Sequence, residues 1–475
     1  MLSPVIEAFF VAHSLPGDSH ENATRSSTGE QSVPSSPRFE NARNGESQAS
    51  DEFSRTLGKF IEKHRAAVNT LLRGNPRLLE GALKSALCHP SMIDFDNKKS
   101  YFRAILRRRD SSTPTSSIRL HIPRDQVFAS SYNQLRFRSP DEMKGRLHVQ
   151  FTGEEGIDAG GLSREWYTIL VRNIFDPMYA LFMKSPGKAA TYQPDRRSYV
   201  NADQHLDYFK FVGRFFGKAI YDGQLLDAYF TRSFYKHMLG IKPNYHDMEM
   251  EEPEYYKSLC WILENDITDV MDLTMSAEFD YFGTQKIVDL VPNGRNIPVD
   301  NTNKFEYVQL ITDLKLTKAI EKQIAAFLEG FHELIPADDI RIFNEVELEL
   351  LMSGLPDIDV ADLKSNIEYS GYTAGSPHIS WFWKSVAKMG KEDLARLIMF
   401  VTGTSKVPLE GFAALQGMNG PQKFQIHRVA GDSDRLPTAH TCFNQLDLPE
   451  YATAEKLHNR LLCAIREGSE GFGFG

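Results

Sequence analysis

The sequence has few cysteines and no long apolar run, and both absences narrow what it can encode. Its 475 residues include four cysteines, and no two form a CxxC pair. This argues against a disulfide framework and against a zinc site. No run of about 18 apolar residues is present to cross a membrane, and the opening MLSPVIEAFFVAHSL lacks the basic start of a secretion signal. We therefore expect an intracellular protein that does not associate with membranes.

Positive charge is also in short supply. The net charge is -9, which argues against nucleic acid as a partner of this portion. The glycine-rich turn TGEEGIDAGG at 152–161 lacks the GxxxxGK spacing of a phosphate-binding loop and carries acidic residues that would repel an anion. We expect no nucleotide, metal or other cofactor. With 41% hydrophobic and 25% charged residues, the chain has the composition of an ordinary globular protein.

The N-terminal part divides into a linker and a helical extension. Residues 1–51 are predicted to be mostly a disordered linker, because 15–51 is rich in Ser, Gly, Asn, Pro and Glu and poor in apolar residues. Apolar residues then recur at spacings of three and four over 52–73, which predicts an amphipathic helix that ends at Gly74. This stripe has to bury against something. We expect it to pack on the following domain, with self-association through 52–73 as the alternative.

The run DFDNKKSYFRAILRRRD at 94–110 carries basic residues on one side of a helical pattern. A solvated helix face explains this pattern, and a signal for nuclear import or a site for an anionic ligand is the alternative. We therefore expect a cytoplasmic location and leave a nuclear one open.

In the rest of the chain, the hydrophobic pattern changes near residue 357 from mainly helical to mixed helical and alternating. The alternation in RLHVQF at 146–151 predicts a half-buried strand, and long helical patterns follow at 205–240, 316–336 and 344–356. One helix-like run at 380–400 and several shorter alternating segments then predict a small α/β unit. The junction SGLPDID at 353–359 has the glycine and proline of a domain hinge. The expected fold class is α+β.

A single cysteine stands in the strand-like segment LPTAHTCFNQLDLPEY at 436–451. If 438–446 is extended, His440 and Cys442 lie on the same face, and an imidazole beside a thiol raises the thiolate fraction. Cys442 is then a candidate nucleophile, although a small core residue is the other interpretation. Cys463 lies among leucines of a helical run and is predicted to be core.

These residues alone are also compatible with two other functions, a cysteine protease and a scaffold without catalysis. A cysteine protease would need a general-base histidine and an orienting Asn or Asp beside the thiol, and His427 or His458 would be the candidates. A scaffold without catalysis would leave the thiol inert. Sequence spacing does not choose between them.

Several motifs together resemble the HECT family of ubiquitin ligases. RLPTAHTCFNQLDLPEY resembles the active-cysteine segment, with Cys442 33 residues before the last residue. Other stretches resemble the family in the same order, and together they cover about 139–475. The resemblance extends to very large members that also carry UBA and WWE domains, neither of which is recognisable here. These stretches are GIDAGGLSREWY (156–167), YFKFVGRFFGKAIYD (208–222), AFLEGFHELIP (326–336), ELELLMSGLP (347–356) and FVTGTSKVPLEGFAAL (400–415).

The resemblance implies a bilobal HECT domain. It places a helical extension at 52–138, a mainly helical N-lobe at 139–355 that docks a ubiquitin-conjugating enzyme, and a smaller α/β C-lobe at 356–475. The implied hinge comprises Gly354, Leu355, Pro356 and Asp357. The implied docking positions for the conjugating enzyme are Tyr255, Leu259, Tyr307 and Ile311.

The resemblance also assigns the chemistry. Cys442 would take ubiquitin from the conjugating enzyme as a thioester and pass it to a lysine of a protein substrate. His440 and Thr441 would support the thiol and the thioester carbonyl. Phe472, the fourth residue from the end, would act in the transfer step.

Overall fold

The computed structural model describes most of the chain after residue 62 and divides it into two units, Met1–Ser111 and Ser112–Gly475. The predicted linker, the part of the predicted helix at 52–62, and Phe472 lie outside the described residues. The described residues are 63–81, 83–88, 90–110, 117–154, 161–185, 191–200, 204–268, 272–281, 284–403, 405, 407–408, 411–417, 420–429 and 434–467.

The first unit is helical. It contains α1 (63–74) and α2 (Phe95–Asp110), joined through 3-10 turns at Pro76–Glu80, Lys84–Cys88 and Pro90–Met92. One buried asparagine, Asn69, ties α1 to α2 and to the turn before it: its Oδ1 accepts from Nδ2 of Asn97 at 2.9 Å, and its Nδ2 donates to the Met92 carbonyl at 2.9 Å. The predicted helix is confirmed over its described part, where Val68 and Leu72 of the apolar stripe are buried.

The second unit has two lobes. The large lobe is mainly helical and the small lobe carries a sheet, so the α+β fold class is confirmed. In the large lobe the elements are β1 (Ser117–Ile122), α3 (Val127–Leu135), α4 (Pro140–Met143), β2 (Arg146–Phe151), α5 (Gly161–Ile174), β3 (Phe182–Lys184), β4 (Tyr192–Pro194), α6 (His205–Asp222), α7 (Arg232–Met238), α8 (Met248–Glu251), α9 (Pro253–Glu264), β5 (Ser276–Tyr281), β6 (Thr284–Asp289), α10 (Lys304–Leu316), α11 (Glu321–His332), α12 (Ala337–Ile340) and α13 (Glu345–Ser353).

The start of the large lobe differs from the predicted boundary at residue 139. Strands β1 and β2 pair in parallel, with Ser117 opposite Arg146 and Ile122 opposite Phe151. Residues 117–138, predicted as part of the helical extension, therefore belong to the large lobe. The alternation of Ile118, Leu120 and Ile122, all buried, is a strand signal that the helical interpretation of this stretch overlooked.

The scaffold of the large lobe is the contact between α6 and α11. A Cβ added at Gly213 would overlap the carbonyl oxygen of Phe327, and one at Gly330 would overlap that of Lys210. These two glycines let the helix backbones touch, and buried aromatic rings fill the space around them. Those rings include Phe209, Phe215, Phe216, Phe230, Phe234, Phe327 and Phe331.

A second core lies within the large lobe at 245–316, which we call the hairpin subdomain. It combines α8, α9 and α10 with the antiparallel hairpin β5–β6, in which Ser276 pairs with Asp289. Its buried apolar side chains include Met248, Leu259, Ile262, Val299, Tyr307, Val308 and Ile311. This subdomain supplies the large-lobe side of the site described below.

The small lobe begins after a short linker and confirms the predicted α/β unit. Its main sheet has four strands in the order β11-β12-β10-β7, parallel except that β11 runs antiparallel to β12. Strands β8 and β9 form a separate antiparallel pair. The predicted single helix at 380–400 is two helices, interrupted at residues 387–390. The elements are α14 (Val360–Ser365), β7 (Ile367–Ser370), α15 (Pro377–Val386), α16 (Lys391–Thr402), β8 (Gln416–Gly417), β9 (Gly420–Pro421), β10 (Phe424–Val429), β11 (Thr438–His440), β12 (Gln445–Pro449) and α17 (Ala454–Glu467).

The linker between the lobes lies where the sequence predicted a hinge. Helix α13 ends at Ser353, and Gly354 follows with φ of 85°. Residues other than glycine rarely adopt this backbone conformation. Residues 354–359 are in neither helix nor strand.

No helix among the described residues is both long enough and apolar enough to cross a membrane.

Candidate functional site

Cys442 lies in a tight turn at the edge of the small-lobe sheet. The turn is a 3-10 helix, Thr441–Phe443, which connects the edge strand β11 to β12. It is closed by Asn444, which adopts a left-handed conformation with φ of 49° and donates from Nδ2 to the Gln422 carbonyl at 2.8 Å. The condition that 438–446 is extended is therefore not met. The backbone leaves the strand after His440, so His440 and Cys442 do not share a strand face.

His440 is held by a carboxylate of the neighbouring strand. Its Nε2 lies 3.2 Å from Oδ2 of Asp447, and Gln445 donates to the other oxygen of Asp447 at 2.6 Å. The hydrogen bond to Asp447 raises the pKa of His440, against the opposing effect of burial. Burial would raise the pKa of Asp447, but the hydrogen bonds from His440 and Gln445 hold it below its usual value. Together they favour a protonated imidazole beside an ionised carboxylate.

The hairpin subdomain faces this turn from the large lobe. Oε1 of Glu249 lies 4.0 Å from Nδ1 of His440, and the ammonium of Lys257 lies 5.1 Å from the centre of the Phe443 ring. Met250 packs so closely on Gly403, at the end of α16, that any side chain there would overlap its sulfur. The turn that carries Cys442 therefore lies against α8 and α9 in this arrangement of the lobes.

Two buried polar contacts fasten the lobes together near the hinge. Nη2 of Arg396 on α16 donates to Oε1 of Glu347 on α13 at 2.8 Å, with both side chains almost completely buried. The second contact joins Glu349 to Ser405, whose amide and hydroxyl both donate to Oε1 of Glu349, at 2.8 and 2.7 Å. Both carboxylates belong to the helix that precedes the hinge.

A cleft of about 640 Å³ lies between the lobes beside the turn. Most of its charged groups are already paired: Lys236 with Asp247 at 2.8 Å, and Arg460 with Asp434 at 3.4 Å. The cleft is open enough to admit an extended side chain and is lined by groups of both charges. Its walls include Arg232, Lys236, His246, Asp247, Glu249 and Tyr256 of the large lobe, and Arg435, Pro437, His440, Thr441, Asp447 and Arg460 of the small lobe.

The predicted docking residues for a conjugating enzyme occupy a different environment from the one expected. Leu259, Tyr307 and Ile311 are buried in the core of the hairpin subdomain, and Tyr255 is half-buried, with the Lys315 ammonium 4.3 Å from the centre of its ring. Three of the four side chains are therefore closed to a partner in this conformation. These four positions came from the family resemblance, and ordinary core packing was the other interpretation of them.

The same subdomain exposes other large apolar side chains. Trp261 on α9 is 42% exposed and Phe305, in the first turn of α10, is 66% exposed. Ile287, Val288 and Ile297 are also exposed. Large apolar groups that remain in water at one part of a surface are typical of a protein interaction site.

The other predicted candidates are engaged away from the turn. The ring of His427 contacts Gln425 on its own strand at 3.0 Å, and His458 contacts the Ser385 hydroxyl at 2.7 Å. Cys463 is half-buried on α17 rather than fully in the core. Cys260 is half-buried on α9, where burial raises the pKa of its thiol and so disfavours the thiolate.

Glu251, two residues beyond Glu249, gives a pH-dependent prediction. It is buried and accepts a hydrogen bond from the Ser233 hydroxyl, and burial raises its pKa from 4.5 to about 8. A carboxyl whose pKa is raised by folding contributes its full stability below its unfolded pKa and loses that contribution as the pH rises through the folded pKa. Glu251→Gln should therefore melt close to the wild type at pH 5 and above it at pH 9. A constant difference across thermal melts from pH 5 to pH 9 would contradict this assignment.

Within the described residues, no three histidine, cysteine, aspartate or glutamate side chains are grouped so as to hold a metal ion. The site therefore consists of a cysteine-bearing turn, a histidine held by an aspartate, and a glutamate from the opposite lobe. The model of the HECT-domain (ubiquitin-transferase) family matches residues 168–475, which includes most of the large lobe, the small lobe and this turn. The chain belongs to the HECT family.

Relatives from plants, mammals and fungi support this membership. The E3 ubiquitin-protein ligase UPL1 of Arabidopsis thaliana is 54% identical over 482 residues, covering 100% of this chain and 13% of UPL1. The E3 ubiquitin-protein ligase HUWE1 of Mus musculus is 53% identical over 417 residues, covering 87% of this chain and 10% of HUWE1. The E3 ubiquitin-protein ligase TOM1 of Saccharomyces cerevisiae is 47% identical over 415 residues, covering 87% of this chain and 13% of TOM1. The HECT chain described here thus spans a small fraction of the length of these relatives.

Proposed function

We propose that this chain is the catalytic part of a ubiquitin ligase that accepts ubiquitin from a conjugating enzyme as a thioester on Cys442 and transfers it to substrate lysines. The observation that carries the proposal is the family match over 168–475, since it covers the turn with Cys442, the cleft beside it and the linker between the lobes. Ubiquitin, a conjugating enzyme and protein substrates are the partners this function requires.

The chemistry proceeds in two steps. In the first, the Cys442 thiolate attacks the thioester carbonyl of the charged conjugating enzyme, so that a new carbon–sulfur bond forms and the enzyme's thiolate leaves. In the second, a lysine amine attacks the thioester on Cys442 and the Cys442 thiolate leaves. The histidine–aspartate pair supports the first step, because a protonated His440 near the turn stabilises a thiolate there.

The two steps require two arrangements of the lobes. The reacting atoms must come to about 3 to 3.5 Å, first at the donor thioester and then at the acceptor amine. We assign the change between them to the linker at Gly354, Leu355, Pro356 and Asp357, where no helix or strand restrains the backbone. The lobe arrangement described above, with the turn against α8 and α9 and the cleft open beside it, suits the second step.

The direct test is incubation with activating enzyme, conjugating enzyme, ATP and labelled ubiquitin, followed by electrophoresis with and without reductant. A ligase gives an adduct that disappears with reductant and that needs ATP to form. The pairing of His440 with Asp447 is also compatible with a cysteine protease. A cysteine protease would cleave a ubiquitin fusion without ATP. A scaffold would do neither.

We place the docking site for the conjugating enzyme on the hairpin subdomain, at its exposed apolar side chains. Replacing Trp261 or Phe305 by glutamate should slow loading of Cys442 at least about tenfold, because each places a charge in an apolar contact centred on an aromatic side chain. Discharge of an adduct already formed should be unchanged. Loading is measured as the rate of adduct formation at limiting conjugating enzyme.

Phe137→Glu is the matched control for this prediction. Phe137 is 81% exposed but follows α3, outside the hairpin subdomain, so its replacement should leave loading unchanged. Equal loading of the Phe305→Glu variant and the wild type would move the docking site elsewhere.

We assign Phe472 to the transfer step. Phe472 has a glycine on each side, and glycine permits many backbone conformations. Burying a phenylalanine contributes roughly 1.5 to 3 kcal/mol when complete. Phe472→Ala should therefore load normally and discharge to lysine more slowly, whereas Phe474→Ala should matter less. Pulse-chase measurement of both steps separates these effects, and a variant that loads slowly but discharges normally would refute the role.

A further inference from the structure

Glu249 brings a large-lobe carboxylate to the turn that carries the nucleophile. It projects from α8 into the cleft, with Oε1 4.0 Å from Nδ1 of His440 and its side chain only 16% exposed. Thr441, the residue before Cys442, lies near enough to this carboxylate to lower its pKa. Glu249 is thus a large-lobe carboxylate close to the two residues that precede Cys442, His440 and Thr441.

The groups around Glu249 come from both lobes. His440 and Thr441 face it from the small lobe, and Arg232 faces it from the start of α7. Tyr256 and Cys260 lie on the α9 side. Burial raises the pKa of Glu249, while the charges of His440 and Arg232 act in the opposite direction. Such a carboxylate can be ionised near neutral pH and still bind a proton more readily than an exposed one.

The acceptor lysine of the second step must lose a proton before it can attack, and this carboxylate can take that proton. A lysine side chain has a pKa of about 10.4 in water and therefore reaches the cleft as an ammonium, which has no lone pair for attack. Arg232 lines the same cleft, and a like charge disfavours the protonated form of an amine placed beside it. What the reaction still needs is a group that takes the proton.

We propose that the interlobe cleft is the acceptor-lysine site and that Glu249 is the proton acceptor for the incoming ammonium. One ammonium proton passes to the Glu249 carboxylate, the lysine nitrogen bonds to the thioester carbon, and the carbon–sulfur bond to Cys442 breaks. The second proton lost by the nitrogen goes to the departing thiolate. The products are an amide, a thiol at Cys442 and a neutral Glu249, which then returns its proton to water.

Because Glu249 lies on the large lobe and Cys442 on the small lobe, its role depends on how the lobes are arranged. The proton acceptor stands beside the turn only when the lobes are docked as described here. Loading exchanges one thioester for another, involves no ammonium and does not need this group. The inference rests on the proposed function and concerns its second step alone.

The test separates the two steps and varies the acceptor. Wild type and Glu249→Gln are charged with ubiquitin, charging is stopped by chelating magnesium, and free lysine is added at pH values from 7 to 10. We expect equal loading, discharge at least about tenfold slower for Glu249→Gln at pH 7.5, and a difference that shrinks as the pH approaches the pKa of lysine. With hydroxylamine, an amine that is largely unprotonated at neutral pH, the two proteins should discharge alike.

Two further variants keep the test decisive. Glu251→Gln lies on the same short helix but faces Ser233 instead of the cleft, and should discharge lysine like the wild type. Glu249→Asp retains a carboxylate and should recover part of the rate lost in Glu249→Gln, which a failure to fold would not permit.

Three results would overturn the inference. The first is discharge of Glu249→Gln at the wild-type rate. The second is a deficit that is the same at every pH and for both acceptors, which would make Glu249 a contact that only positions the lobes. The third is a wild-type protein that forms no adduct at all, which defeats the proposed function at loading and removes the basis of this inference.

Discussion

Replacing Cys442 by alanine is expected to abolish the reductant-sensitive ubiquitin adduct completely. The adduct is a thioester, and alanine has no atom that can form one. Cys442→Ser should form an ester that survives reductant, because an alkoxide is a poorer leaving group than a thiolate. Both results are obtained from the loading assay by electrophoresis with and without reductant.

Cys463→Ala is the control for this experiment. Cys463 is half-buried on α17, so its truncation should lower stability slightly through lost packing and leave the adduct unchanged. An adduct that persisted on Cys442→Ala would show that another thiol carries ubiquitin, and the assignment of the turn Thr441–Phe443 as the active site would be lost.

The second large effect is expected at the lobe contact near the hinge. Arg396→Ala leaves the Glu347 carboxylate buried without the guanidinium that now lies 2.8 Å away. Removing one partner of a buried ion pair costs about 3 to 5 kcal/mol, because the remaining charge stays out of water and has lost its positively charged partner. Urea denaturation of the whole chain should show this loss as a lower midpoint, and the lobes should separate before the helical scaffold unfolds.

A matched control lies at the start of the same helix. Lys391 pairs with Asp357 of the linker at 3.1 Å, but both side chains are exposed to solvent, so Lys391→Ala should change stability little. An Arg396→Ala variant as stable as Lys391→Ala would mean that Glu347 is rehydrated when its partner is removed. In that case the contact contributes little to holding the lobes together.

The local features of the fold were predictable because their signals are local. The alternation in RLHVQF predicted β2, and the change of texture near 357 predicted the boundary between a helical lobe and an α/β lobe. The glycine at 354 and the proline at 356 predicted the linker. In each case the residues that carry the signal are neighbours in the sequence.

The cross-lobe part of the site was not predictable in the same way. Glu249 stands in the acidic run MEMEE, which by itself indicates a solvated helix, and its partner His440 lies almost two hundred residues further on. Glu347 and Glu349 likewise lie in a helical pattern in which acidic residues usually face water. The tertiary arrangement alone pairs them with Arg396 and Ser405.

The turn at 441–443 shows how a short-range rule fails. Alternation of side chains requires extended backbone, and the 3-10 turn that begins at Thr441 ends that backbone one residue before the cysteine. Asn444 closes the turn in a left-handed conformation. Asparagine tolerates this conformation better than most residues. Its position after Cys442 was the available signal for a turn.

The same turn determines what must move during catalysis. It is joined at one end to β11 and at the other to β12, and these strands are paired with each other. The nucleophile cannot travel without breaking those strand pairs, so the whole small lobe has to carry it. Rotation of an entire lobe is opposed by solvent friction, whereas bond rearrangement at the thioester is not. A more viscous buffer therefore slows the reaction when lobe rotation limits it and leaves the intrinsic reactivity of the thioester unchanged.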